Sequence, residues 1–153
     1  MKWAVSFCLV LLSCSIYAEP KSWMKQANPN SLGLFVWVSS QCLFQEADLV
    51  SRIEGEFLRA RLKPSKSLLF NLTVNVRCMS ITNNGGNLIG HVVSYEIRYG
   101  AKMPNGENVL YEIPNHGSML VGGTVSESKQ YFINAIRDDV SLSLTDYLKA
   151  NFE

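Results

Sequence analysis

Apolar and polar residues alternate most sharply between Phe70 and Cys78. Phe70, Leu72, Val74, Val76 and Cys78 interleave with Asn71, Thr73, Asn75 and Arg77. A period of two puts one set against a core and the other towards water, so the segment is predicted to be a strand. Asn83-Asn84-Gly85-Gly86 follows, and asparagine and glycine supply the positive-φ positions a hairpin requires. The returning strand carries Ile89, His91, Val93, Tyr95, Ile97 and Tyr99 on one face and Val92, Ser94, Glu96 and Arg98 on the other. A second turn, Pro104-Asn105-Gly106-Glu107, leads into Val109-Leu110-Tyr111-Glu112-Ile113. Pro114 and Gly117 interrupt that run before Ser118-Met119-Leu120-Val121, which predicts an edge strand, a bulge or a break.

Upstream, Leu34-Phe35-Val36-Trp37-Val38 is a β-rich run between Gly33 and Ser39-Ser40-Gln41, and reads as a first strand. The period then changes. Leu49, Val50, Ile53, Phe57 and Ala60 recur at three- and four-residue steps, with Arg52, Glu56, Arg59 and Lys63 on the other side. This predicts an amphipathic helix from Glu46 to Leu62, ended by Pro64. Near the end of the chain Phe132, Ile136, Val140, Leu144 and Leu148 repeat every four residues, with Ala135 and Tyr147 widening the stripe. A second helix is expected there, capped by Thr124 or Ser126 after Gly122-Gly123.

The order is therefore β-α-β-β-β-α. The fold class expected is α+β: a two-layer sandwich whose mostly antiparallel sheet is covered on one face by two helices. The opening strand–helix–strand unit fits a right-handed crossover that sets the first strand parallel to the second. In the order of its elements the chain resembles small periplasmic domains of envelope-assembly proteins.

Residues 1–18 have the parts of a secretory signal: Lys2, an apolar run from Trp3 to Leu12 broken by Ser6, and Ile16-Tyr17-Ala18 before Glu19-Pro20. The run is about ten residues, short of the roughly 20 that span a membrane. Leu11-Leu12-Ser13-Cys14 resembles the lipobox of bacterial lipoproteins, which implies the alternative of lipidation at Cys14; Leu12 departs from the usual smaller residue. Residues 19–32 read as a polar lead-in in which Trp23 is the one candidate anchor, and 33–153 as a single α+β domain.

Removing residues 1–18 takes away Lys2 and no acid, so 13 basic and 13 acidic side chains remain, a formal net charge of zero. Arg52, Arg59, Arg61 and Lys63 gather, but Glu46, Glu54 and Glu56 interleave with them. That is the pattern of a solvated, salt-bridged helix face, and no nucleic-acid partner is expected. Membrane association is expected only through a lipid anchor. Cys42 and Cys78 survive processing, and an even count in an exported chain reads as a disulfide.

No cofactor, metal site or catalytic constellation is predicted. The two histidines, His91 and His116, have no ligand spacing around them, and neither Gly-x-Ser-x-Gly nor a glycine-rich phosphate loop occurs. Asn71-Leu72-Thr73 is a glycosylation sequon, read as a chance match on a strand. For ligand binding the residues singled out are Tyr95, Tyr99, Tyr111 and His116, with Phe132 completing a pocket between sheet and helices. Should there be catalysis, His116 with a nearby carboxylate is the place to look. The expectation for function is an exported, non-enzymatic domain, periplasmic or secreted, that contacts an unidentified protein of the cell envelope. The alternatives are a small-ligand binder or an enzyme inhibitor.

Overall fold

The computed structural model describes residues 22–124 and 126–153, with the backbone alone at 112–115 and 126. The expected signal, and with it the choice between Ala18 and Cys14, lies outside the described residues. After a 3-10 turn at Ser22–Met24 come β1 (Ser31–Val38), α1 (Glu46–Arg59), β2 (Lys63–Ser65), β3 (Phe70–Thr82), β4 (Leu88–Lys102), β5 (Asn108–Gly122) and α2 (Ser126–Phe152). The five strands form one sheet in the order β2-β1-β3-β4-β5.

The fold is α+β, but the expectation of a mostly antiparallel sheet needs correcting. The sheet is mixed: β1 runs parallel to both β2 and β3, while β3-β4 and β4-β5 are antiparallel. The crossover through α1 carries the chain back over the sheet, so the strands after it start in the direction of β1. The parallel pairing of β1 with β3, Gly33 to Val38 against Asn71 to Val76, is the one the strand–helix–strand reading anticipated. The extra strand β2 alters the order to β-α-β-β-β-β-α. It is three residues long and includes Pro64, so it shows no readable period; it is held by pairing beside Ser31–Gly33 and by the Lys63 amide donating to Asn30 O at 2.9 Å.

Helix α1 stops earlier than Pro64 alone predicts. Arg61 adopts φ 56°, the left-handed conformation. Its N–H donates to Leu58 O at 3.0 Å, and the Leu62 N–H donates to Phe57 O at 2.9 Å. These are the two bonds of a Schellman motif, completed by burial of Leu62 and Phe57 in the same core. At the other end the Asp48 carboxylate accepts from the Gln45 N–H at 3.3 Å and from Lys129 Nζ on α2 at 2.8 Å. Those contacts hold the Asp48 carboxyl below the usual carboxylate range, the lysine contributing most.

Both helices lie against the face carrying Leu72, Val74, Val76, Val93, Ile97 and Tyr99, and the core between them is closed by Leu49, Ile53, Phe57, Phe132, Ile136 and Val140. Each such aliphatic side chain removed from water contributes roughly 1.5–3 kcal/mol. The buried line of α2 starts in steps of four, Phe132-Ile136-Val140, and then continues Ser143-Leu144, Tyr147 and Ala150. Four residues overshoot a turn of 3.6 by about 40°. The stripe must therefore step back by three, which leaves Leu148 only partly buried and enters Tyr147 in the core.

Candidate interaction surface

One face of the sheet bears the helices, and the other bears none of them. The register places residues of adjacent strands in rows across that second face. Phe35, Thr73 and Arg98 form one row, and Trp37, Asn75, Glu96 and Gly117 the next. Arg77, Ser94 and Met119 follow, and then Met79, Val92 and Val121. The middle of the face is polar, as its sequence pattern predicts, with Arg98 paired to Glu96 at 3.2 Å. The end near the β3-β4 hairpin is apolar. There Met79 is 60% exposed, Met119 65% and Val121 63%; Trp37, near the end of β1 and beside Asn75, is 52% exposed. A hollow of about 340 Å³ opens on this face, lined by Trp37, Ser39, Gln41, Arg77, Cys78, Met79, Val92 and Ser94.

The disulfide frames this end. Cys42 and Cys78 are bonded, with Cα atoms 5.0 Å apart, so the pairing expected of them is present. It ties the loop after β1 to β3, and the Ser39 N–H donates to Val76 O at 3.0 Å beside it. Trp37 and Gln41 are thereby held on a fixed backbone at the edge of the hollow. Single exposed apolar residues are ordinary on any protein; several in one patch, rimmed by polar groups, are the signature of a contact surface.

The residues singled out from the sequence for ligand binding lie on the opposite side of the sheet, Tyr95, Tyr99 and His116 against α2 and Tyr111 against the lead-in. The Tyr95 hydroxyl donates to Asp139 Oδ2 at 2.7 Å and the Tyr99 hydroxyl to Ser143 O at 2.7 Å. Burial raises both phenol pKa values, with the Asp139 and Asp146 charges respectively adding to the rise. Tyr111 stacks on Trp23 with ring centroids 4.6 Å apart, and Trp23 meets Tyr99 edge-on at 5.9 Å. Phe70 stacks on Tyr99 at 5.3 Å and on Tyr147 at 5.9 Å. Trp23 thus anchors the lead-in on the domain through a ring cluster. Asn151 reinforces it, accepting from the Gln26 N–H at 2.8 Å and donating to Met24 O at 3.0 Å.

His116 sits in the irregular middle of β5, where Ile97 has no partner and the ladder resumes with Glu96 opposite Gly117. Gly117 has φ 129°, and a Cβ there would come within 2.8 Å of Tyr95 O, so the bulge closes only on glycine. The imidazole is not in an exposed loop: its side chain is 7% exposed, with Nε2 3.1 Å from Asp146 Oδ2 on α2. The carboxylate sought beside His116 is therefore there. Nδ1 is buried and, among the described residues, has no hydrogen-bond partner. A general base needs access to the proton it takes, and this ring is enclosed.

His91 is buried at the start of β4 with neither ring nitrogen hydrogen-bonded among the described residues, so it lacks the partner expected of a core histidine. Asn71 of the sequon is buried, donating to Leu68 O at 3.3 Å and accepting from Thr73 Oγ1 at 3.1 Å. A glycan cannot be added to it in the folded state. Among the described residues no group of three or more His, Cys, Asp or Glu side chains is placed to hold a metal, and no helix is long and apolar enough to cross a membrane.

Sequence reasoning missed Trp37, Met79, Val92, Met119 and Val121 as a group. The available signal was Phe35-Val36-Trp37, apolar on both alternating faces. A strand of that kind has something to cover on each side.

No family model matches the chain, and no curated protein does. Among solved structures it is similar to a minor lipoprotein from Acinetobacter baumannii, with 13% identity and a TM-score of 0.36, covering 77% of this chain and 92% of that one. It is also similar to rare lipoprotein B from Shewanella oneidensis, with 11% identity and a TM-score of 0.33, covering 76% and 91%. Likeness at this level assigns neither a family nor an activity.

Proposed function

We propose that this is an exported, non-enzymatic domain that works by contacting another protein as an assembly component of the cell envelope. The observation that carries the reading is the sheet face opposite α1 and α2, where Trp37 and Met79 stand exposed at a hollow and Met119 and Val121 stand exposed on β5 beside two of its lining residues, Ser94 and Val92. The hollow suits a partner's apolar or aromatic side chain, with Arg77 and Gln41 at its edge to bond that partner's polar groups. Export is the inference from residues 1–18, and a disulfide that closes a 36-residue separation accords with an oxidising compartment. Crosslinking in the native envelope followed by pull-down tests the proposal. Recovery of a specific protein adduct supports it, and recovery of the uncrosslinked chain alone under several conditions contradicts it.

A further inference from the structure

We infer that the free edge of β5 from Gly117 to Gly122 pairs with the same edge of a second copy of this chain. This rests on the reading of the helix-free face as a contact surface, and extends it by naming what lies beside β5. The two copies run antiparallel, with Leu120 opposite Leu120 of the second copy and Met119 opposite Val121 of the second copy.

Among the described residues β5 ends the strand order, so one side of it offers backbone N–H and C=O groups that no described strand pairs. Soluble proteins blunt such edges with charge, proline, shortness or a covering element. The opposite edge of this sheet shows these devices: β2 is three residues long, contains Lys63 and Pro64, and is followed by Lys66. The second half of β5 shows none of them. Gly117 to Thr124 contains no charged residue and no proline, and Met119 and Val121 are exposed on it. Pro114 lies before Gly117 and the bulge ends at it, which leaves Gly117 to Gly122, six consecutive residues, in register with β4. At about 3.4 Å per residue that is some 20 Å of edge, the length of an ordinary strand.

The identity of the occupant follows from the row that stops there. Met79, Val92 and Val121 run to the edge, so an added strand must present an apolar residue beside Val121 and carry no charge. β5 itself meets that requirement. In antiparallel pairing about Leu120 every residue faces one of the same parity, so Met119 and Val121 of both copies stay on the helix-free face. A two-fold axis normal to the sheet then joins two five-stranded sheets into one of ten strands with a doubled apolar strip. The exported chain, with 13 basic and 13 acidic side chains, sets up almost no net repulsion between copies.

The test is sedimentation of the exported chain, disulfide intact, over a dilution series. The expected result is a mass of two chains that falls to one on dilution. Met119→Lys and Val121→Lys should each raise the dimer dissociation constant on the order of tenfold or more, with circular dichroism showing both variants folded. Mixing Met119→Cys with Val121→Cys chains should give an intermolecular disulfide faster than either variant alone. A chain monomeric at every concentration, a dimer indifferent to both lysines, or equal crosslinking in mixed and single samples would overturn the pairing. A monomer that still forms an adduct with an envelope protein from position 79 overturns this inference and leaves the contact reading standing; a monomer with no adduct overturns both.

Discussion

Val92 of β4 stands directly opposite Val121 of β5 on the face of the sheet that neither α1 nor α2 covers. Met79 of β3 lies opposite Val92 in turn, and the row runs to the edge of the described sheet at β5. Its cross-strand contacts add to the sheet, but Met79 and Val121 still leave apolar surface in water that another surface lying on the row would bury.

The disulfide is the first feature to test. Cys42 and Cys78 close a separation of 36 residues, which in the chain-entropy model stabilises the fold by roughly 3–4 kcal/mol. Replacing both cysteines with alanine should lower the melting temperature on the order of 10 °C. It should also release the loop that fixes Gln41. A melting temperature unchanged by the double substitution would show that the loop is held by other contacts.

Arg61 occupies a left-handed position that glycine fills at lower steric cost, and its side chain is exposed. Arg61→Gly should therefore stabilise the domain by about 0.5–1 kcal/mol, the relief of strain exceeding the added chain entropy. Chemical denaturation of the variant should show a higher midpoint at an unchanged slope. A lower midpoint would mean that the guanidinium makes a contact worth more than the strain.

Three phenols give the protein an alkaline limit. Burial raises the pKa of Tyr95 and Tyr99 above the ordinary value, and pushes that of Tyr147 up to about 12. A phenol whose folded pKa exceeds its unfolded value of about 10 stabilises the fold fully below that value. The contribution is lost as pH rises through the folded value. Stability should be flat with respect to these groups below pH about 10 and fall above it, with their phenolate absorbance appearing together with unfolding. Ionisation of all three near 10 in a chain that stays folded would contradict their burial in the core between the sheet and α2.

Processing is checked by intact mass. The exported chain should begin at Glu19, with Cys42 and Cys78 oxidised. A mass corresponding to a diacylated N-terminal cysteine would instead establish the anchor at Cys14, tether the domain to a membrane and lengthen the segment that Trp23 pins.

Local pattern carried much of the fold. The alternation of Phe70 to Cys78 is that of β3, and the spacing of Leu49, Ile53 and Phe57 that of α1. Features set by tertiary pairing were not readable. β2 exists because Lys63–Ser65 meets β1, and no propensity in Lys-Pro-Ser predicts that. The surface was harder still. Met79, Val92 and Val121 are unremarkable in their own strands and become a row only once the offsets of two hairpins are known. The aromatic residues chosen for binding were legible as sheet positions, but tyrosine on an apolar face is compatible with a pocket and with a core. The Trp23, Phe70 and Tyr147 rings, from three distant segments, decided what surrounds them.

Site-specific photo-crosslinking in the native envelope tests the central claim most directly. A photoreactive residue is placed at Met79 on the helix-free face, and in a second variant at Leu58, a still more exposed apolar position on α1. The account predicts a discrete adduct with an envelope protein from position 79 and none from position 58. No adduct from position 79, or the same adducts from both positions, would contradict it.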